Sequence, residues 1–362
     1  MPHPLNLHEL QALAESKLPR MAFDYFAGGA NDERLLTSTR DAWNAIELRY
    51  RVMRNVSSRS HACEVLGQRL EWPVLVAPMA LQQMAHPDGE LATARAVGQS
   101  GCGIVLSTLS NHAIESVRNV LVQSSANTPL WFQLYIEKDR GRTQALVERV
   151  ERAGAAALVL TVDTPVLGRR ERDIRNQFHL PEGLATPHLQ ETTKLGEAPS
   201  NNASALATYI SRQWDDSIEW KDVAWLQSIT SLPILLKGVV RGDDAVLALE
   251  HGAAGVIVSN HGGRQLDAAI TTPRALRDVA SKMDGRGTLL VDGGIRRGSD
   301  IVRAVAMGAN GVLLGRPVLW SLAIGGADAV VATLALLRAE FDTAMALCGC
   351  RSVGEITADL IA

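Results

Sequence analysis

Residues 289–317 read LLVDGGIRRGSDIVRAVAMGANGVLLGRP. Leu289–Val291 is a short, continuously apolar run that breaks into Asp292-Gly293-Gly294. A segment of helical period comes next, and a second run, Val312–Leu314, breaks into Gly315-Arg316-Pro317. Unbroken rather than alternating hydrophobicity marks parallel strands buried on both faces. The stretch therefore predicts a β–α–β unit whose strands end in polar and glycine residues.

Six more runs of this kind precede it: Val74–Ala77, Ile104–Leu106, Leu130–Leu134, Ala157–Leu160, Ile234–Leu236 and Val256–Val258. Eight strands alternating with Ala/Leu/Arg-rich helical segments predict an α/β fold, a (β/α)8 TIM barrel, with a doubly wound open sheet as the alternative. The residues at the ends of the runs support the barrel. The first six end in Pro78-Met79-Ala80, Ser107-Thr108, Gln133 with Tyr135, Thr161-Val162-Asp163-Thr164-Pro165, Lys237-Gly238 and Ser259-Asn260-His261-Gly262-Gly263-Arg264. Barrel enzymes build their sites at the C-terminal strand ends.

The spacing breaks once, between Arg169 and Leu232. Gly183–Ser204 within that gap is rich in Pro, Asn, Thr and Ser and reads as a mobile loop after strand four, spanning about 181–205. A short helical run is expected over Trp214–Trp225. Residues 1–70 form an N-terminal helical cap, with helices near Leu7–Ser16 and Met21–Phe26 leading into Gly28–Glu33. Residues 71–345 form the barrel and 346–362 a C-terminal segment, all in one domain.

Composition narrows the function. The 362 residues carry 36 Lys plus Arg against 39 Asp plus Glu, a net charge of −3, which disfavours a nucleic-acid partner. Four cysteines (Cys63, Cys102, Cys348, Cys350) are too few for a disulfide scaffold and fit reduced thiols in a cytoplasmic protein. None of them has metal-ligand spacing, and no metal is expected. No secretory signal opens the chain. The apolar span Val318–Leu337 contains Asp328 and Gly325-Gly326, so a covered helix is expected rather than a membrane segment. Neither a Walker A loop nor a G-x-G-x-x-G after a strand is present, which disfavours NAD by the usual route.

Gly293, Gly294 and Gly315 let backbone N–H groups approach an anion, and Arg296 and Arg316 add guanidinium forks. A phosphate-bearing cofactor or substrate is expected there. Lys237 has two readings, a Schiff-base nucleophile as in an aldolase or a positive charge beside an electron-rich cofactor ring. His261 is a plausible general base, and Asp163 could stabilise its imidazolium. Arg170 and Arg264, aimed at one cavity, suggest a carboxylate substrate.

These residues resemble those of the FMN-dependent α-hydroxy-acid oxidases and dehydrogenases. The resemblance runs from about Leu7 to Ile361. It rests on Ser259–Asp267 (SNHGGRQLD), Phe132–Tyr135, Thr161–Pro165, Leu236-Lys237-Gly238 and Asp292–Gly298. It implies oxidation of a small (S)-2-hydroxy acid to the 2-oxo acid, with FMN as cofactor. It assigns Tyr25 and Tyr135 as substrate hydrogen-bond donors, Arg170 and Arg264 as the carboxylate clamp, and His261 as base with Asp163. FMN would lie on Pro78, Met79, Ala80, Ser107, Gln133, Thr161, Lys237 and Ser259. Its phosphate would take Asp292, Gly293, Gly294, Ile295, Arg296, Gly315 and Arg316. Glycolate oxidases carry Thr at the position of Met79 and Trp at that of Leu109. The smaller wall leaves room for a substrate methyl group, so L-lactate is expected over glycolate. O2 is the expected acceptor, since no cytochrome domain precedes the barrel and the loop has no long apolar insert. Soluble members of the family imply a homotetramer with no membrane partner.

Overall fold

A computed structural model describes residues 4–189 and 204–362. Eight parallel strands close into a barrel: β1 (Val74–Val76), β2 (Gly103–Ser107), β3 (Leu130–Leu134), β4 (Ala157–Thr161), β5 (Ile234–Val239), β6 (Gly255–Val258), β7 (Thr288–Val291) and β8 (Gly311–Leu314). Each pairs with its sequence neighbour, and β8 returns to β1 through Val312 opposite Val74 and Leu314 opposite Val76. The open sheet is thereby ruled out.

Side chains alternate along each strand between the barrel interior and the helical layer outside. Leu75, Val105, Trp131, Val159, Leu235, Ile257, Leu290 and Leu313 share the interior cluster. Their strand neighbours, such as Val74, Ile104, Phe132 and Leu158, pack outward into the main core. Two residues further along each strand, the same inward direction reaches Ala77, Ser107, Gln133, Thr161, Lys237, Ser259, Asp292 and Gly315. The barrel thus has an apolar floor and a mostly polar upper ring, both fixed by a period of two.

The strands run past several of the expected ends. Lys237 lies inside β5, and Ser107 and Thr161 close β2 and β4. A hairpin absent from the sequence reading, Cys63–Val65 with Gln68–Leu70, packs Val65 and Leu70 on the interior cluster. Its turn uses Leu66 and Gly67, both with positive φ, as a two-residue hairpin turn requires. Trp131 donates to Gln68 Oε1 at 3.0 Å and ties the hairpin to the barrel.

The expected helix over Trp214–Trp225 is corrected. Helices cover Ala205–Gln213 and Lys221–Ile229, and residues 214–220 are not helical. Asp215 N donates to Ile136 O, while the Asp215 carboxylate accepts from Ser217 N and Oγ. This local turn outcompetes helix continuation. Of the expected loop at 181–205, residues 190–203 lie outside the described residues. The apolar C-terminal span belongs to helix Arg316–Leu347, long and apolar enough to cross a membrane by length and composition. Its stripe Val330, Leu334, Leu337, Phe341 and Met345 is buried in the main core. Non-helical backbone at Gly325 and Gly326 breaks it. All four cysteines are free thiols.

Candidate active site

The upper ring opens into a cavity walled by Tyr25, Met79, Leu109, Tyr135, Arg170, His261 and Arg264, and also by Gly293, Gly294, Arg296, Gly315 and Arg316. Pro78, Ala80, Ser107, Gln133, Thr161, Asp292 and Ile295 also line it. The remaining two expected cofactor residues, Lys237 and Ser259, are buried in the ring without being part of the cavity wall.

His261 comes after β6 in a 3-10 turn with φ of 55°, and Gly262 and Gly263 continue with positive φ. A side chain at Gly263 would meet Leu36 at 2.9 Å. The turn is clamped from two sides: Ala30 N in the cap donates to Gly263 O, and Arg316 Nη1, just after β8, donates to Gly262 O. A left-handed histidine is uncommon, and such strain gathers at functional positions. His261 Nδ1 lies 2.8 Å from Asp163 Oδ1, which also accepts from Thr164 Oγ1 at 2.9 Å. Burial lowers the His261 pKa and outweighs the raising effect of Asp163. Burial pushes the Asp163 pKa up, but His261, Lys237 and Thr164 more than offset it and leave it lowered. The resting pair is therefore carboxylate and neutral imidazole. Assigning the Nδ1 proton to the Asp163 bond leaves Nε2 as a free base.

Gly238 makes this pairing possible. Its φ is 108°, and a Cβ there would sit 2.5 Å from Asp163 Cβ. The register shift between Lys237 and Val239 accompanies this close approach. Lys237 Nζ donates to Ser259 Oγ at 2.9 Å and pairs with Asp292 Oδ2 at 3.0 Å. Burial opposes its charge, yet Asp292 and Asp163 hold its pKa above the ordinary lysine value. A lysine held protonated is a poor nucleophile, so the Schiff-base reading loses its chemistry.

The arginines are the reverse case. Burial, together with other arginines, pushes Arg170 down to about 10, Arg296 to about 10 and Arg316 to about 9. Among the described residues, neither these three nor Arg264 has a carboxylate within ion-pair distance. Backbone carbonyls aim them instead: Arg316 donates to Phe26, Gly28 and Gly262, Arg264 to Tyr25 and Gly28, and Arg170 to Arg264. Carbonyls orient a guanidinium without neutralising it, and a buried unpaired charge is costly. Two anions are needed, one near Arg170 and Arg264 and one near Arg296 and Arg316.

Beside the first pair, burial raises the pKa of both Tyr25 and Tyr135, so the phenols remain donors. Tyr25 stacks on Phe178 with centroids 4.3 Å apart, and the Arg264 guanidinium lies 4.9 Å from its ring centre. Beside the second pair, a side chain at Gly294 would strike Trp43 at 2.7 Å, so bare backbone faces the cavity there. Helix Arg316–Leu347 also starts at this point, with Pro317 in its first turn. Free N–H groups at a helix start favour phosphate.

Two buried polar atoms of the wall, Gln133 Nε2 and Asp292 Oδ1, have no partner among the described residues. A donor on β3, an acceptor after β7 and two cations around a glycine cradle match the ring amide, sugar-alcohol chain and phosphate of a flavin mononucleotide. The residues present fit that group. Among the described residues no three His, Cys, Asp or Glu side chains gather as a metal site.

Sequence reading missed an apolar part of the cavity wall, Leu206, Ile210 and Trp214. Their i, i+4, i+8 spacing was the available signal. It also missed Thr164, which bonds Asp163 and lies 3.4 Å from His261 Nδ1.

The sequence profile of the FMN-dependent dehydrogenase family matches residues 14–362. An L-lactate oxidase from Nostoc sp. is 50% identical over 353 residues, covering 98% of this chain and 96% of the relative. A glycolate oxidase from Spinacia oleracea is 48% identical, covering 99% and 95%. A crystal structure of mandelate oxidase with (S)-4-hydroxymandelic acid superposes with a TM-score of 0.94. It is 38% identical, with 99% of this chain and 98% of that chain covered.

Proposed function

The chain belongs to the FMN-dependent dehydrogenase family and is an FMN-dependent enzyme that oxidises 2-hydroxy acids, and on that footing we propose that L-lactate is its preferred substrate, glycolate a secondary one, and O2 its acceptor. Lactate would lose two electrons and two protons to give pyruvate, and O2 would gain them to give H2O2. One observation carries the reading: His261, paired with Asp163, lines the same cavity as Arg170 and Arg264, neither of which has a carboxylate partner among the described residues.

Arg170 and Arg264 hold the substrate carboxylate, each able to offer two N–H groups. Tyr25 and Tyr135 donate to its oxygens and fix the α-carbon. His261 Nε2 takes the proton, and Asp163 stabilises the imidazolium across the 2.8 Å contact. Bound FMN supplies the two-electron sink. Gln133, Ser107, Thr161 and the 78–80 segment would hold its ring region, with Ser259 behind them accepting from Lys237 and His261 N, and Arg296 and Arg316 with the glycine cradle would hold its phosphate. Lys237, held protonated, provides a fixed positive charge where electron density accumulates.

The preference for lactate rests on Leu109 and Met79, both buried and apolar at the cavity wall. A substrate methyl group in such a pocket is worth about 1–3 kcal/mol, or roughly 10–200-fold in kcat/KM. Comparing kcat/KM for the two acids tests this, and a preference for glycolate overturns it. Peroxide formed one-to-one with pyruvate tests the acceptor. Rapid dye reduction without peroxide would assign a dehydrogenase instead.

A further inference from the structure

Three core tryptophans satisfy their indole N–H. Trp43 donates to Gly293 O at 2.8 Å, Trp72 to Ser100 O at 3.0 Å and Trp131 to Gln68 Oε1 at 3.0 Å. Trp214 and Trp320 do not, and of these two only Trp214 lines the cavity. Only 4% of Trp214 is exposed, and its Nε1 has no partner among the described residues. A buried donor without an acceptor is rare in a packed interior and calls for an explanation at that position.

The surroundings of Trp214 supply one. Its ring stacks on that of Tyr135 with centroids 3.6 Å apart and an interplanar angle of 19°. That separation is the thickness of an aromatic ring, so nothing enters between them. Its backbone is fixed to the segment just after Tyr135: Asp215 N donates to Ile136 O at 3.0 Å, and Lys138 N to Gln213 O at 2.8 Å. Trp214 and Tyr135 are therefore held as one rigid unit. Leu206 and Ile210 extend the indole surface along the cavity wall. An apolar wall of this size, locked to the tyrosine that faces the substrate, occupies volume that a larger group on the substrate α-carbon would need.

We propose that Trp214 is a specificity-determining residue, the wall that restricts the substrate to small 2-hydroxy acids and excludes aryl ones. The assignment rests on the small-acid reading above. Stacking and bulk do the excluding, and the unpaired N–H reflects a position kept for shape.

The test uses the FMN-loaded enzyme and the variants W214F, W214L and W214A. W214F keeps an aromatic face on Tyr135, and the other two remove it. Dye-coupled kcat/KM is measured for L-lactate, (S)-2-hydroxybutanoate and (S)-mandelate. Binding of pyruvate and benzoylformate is followed separately by the change in flavin absorbance. In W214A the mandelate-to-lactate ratio should rise about tenfold or more, on the scale of discrimination that apolar pockets achieve. Benzoylformate should bind more tightly in parallel, and 2-hydroxybutanoate should shift least. W214F should keep the wild-type ratio within about threefold, well inside that pocket scale. W214L carries the same test if W214A does not retain FMN. A ratio unchanged in both W214A and W214L overturns the assignment, as does a W214F shift equal to that of W214A. Wild-type enzyme that oxidises mandelate as well as lactate overturns the small-acid reading instead.

Discussion

Replacing Asp163 by Asn removes a charge while keeping shape, and the geometry sets the size of the effect. Asp163 Oδ1 lies 2.8 Å from His261 Nδ1, and both groups are buried. With the charge centres about 4 Å apart, the carboxylate favours an imidazolium by about 4 kcal/mol at an effective dielectric constant of about 20. Asn retains a polar contact, and Lys237 and Arg170 act on His261 in both proteins, so the full amount will not be lost. The predicted fall in the flavin reduction rate is between about a hundredfold and a thousandfold. Stopped-flow mixing with L-lactate without oxygen measures it directly, with FMN content and thermal midpoint confirming a folded holoenzyme. The pH profile provides the second readout. His261 must be neutral to accept a proton, so the rate falls as pH drops through its pKa. Asp163 raises that pKa against burial, and its removal must move the acid limb to lower pH while the plateau falls. A loss smaller than about fivefold, far below the Coulombic figure, or a limb that moves to higher pH, would refute the base assignment.

Leu109→Trp should fill the space beside the substrate methyl and shift the lactate-to-glycolate ratio of kcat/KM towards glycolate by roughly 10–200-fold; an unchanged ratio removes Leu109 from the specificity wall. Arg316→Gln should weaken FMN binding by about 2–5 kcal/mol, as for other truncated partners of buried charge pairs. Titration of FMN into deflavinated protein, followed by flavin fluorescence, measures this, and the KM for lactate of the fully loaded variant should change little. His188 and Glu90 should give opposite stability slopes with pH. His188 accepts from Ile114 N, and burial pushes its pKa down to about 4, so its folded form binds fewer protons than the unfolded chain between about pH 4 and 6.5. Its contribution is present above pH 6.5 and lost as the pH falls towards 4. Burial raises Glu90 to about 7 despite bonds from Gln82 N and Asn111 N, so its contribution is present below pH 4.5 and lost as the pH rises through 7. Urea midpoints across pH 4–7 should show H188Q less acid-labile than wild type and E90Q less affected by rising pH; equal slopes in all three proteins would exclude both assignments.

The barrel was legible because a parallel strand buried on both faces must be apolar at every position, and eight such runs left little latitude. The upper ring was legible for the same reason. Ser107, Gln133, Thr161, Lys237 and Asp292 are polar residues two positions beyond an inward apolar one, a signature that survives in one dimension. What the sequence hid depends on contacts between distant segments. Gly238 looks like any strand-end glycine until Asp163 is seen 2.5 Å from where its Cβ would be. The apolar spacing from Trp214 to Trp225 suits a helix, yet a bond to Ile136 and an aspartate turn delay its start to Lys221. That spacing places Trp214 on a helix, which gives no hint of its position against Tyr135. The hairpin at 63–70 was hidden by its brevity, since three-residue strands carry almost no periodicity.

The net charge of −3 conceals how the site and the stability of the fold are linked. Arg170, Arg264, Arg296 and Arg316 share one cavity without an ion-pair partner among the described residues, while Lys237, also charged, is paired with Asp292. In the polypeptide alone the burial of Arg170, Arg296 and Arg316 disfavours the folded state, because the unfolded chain would solvate them. Phosphate and carboxylate remove that penalty only when they bind the native cavity. Ligands that bind only the folded state stabilise it by RT ln(1 + [L]/Kd), about 4 kcal/mol at a thousandfold excess over Kd. On the proposed roles, the same arginines would tie folding to occupancy, and neutralising one should weaken ligand binding while relieving strain in the ligand-free chain. Arg316→Gln would then lower the thermal midpoint of the holoprotein and leave that of the deflavinated protein equal or higher. An equal loss in both forms would mean that the bonds from Arg316 to Phe26, Gly28 and Gly262 outweigh its unpaired charge.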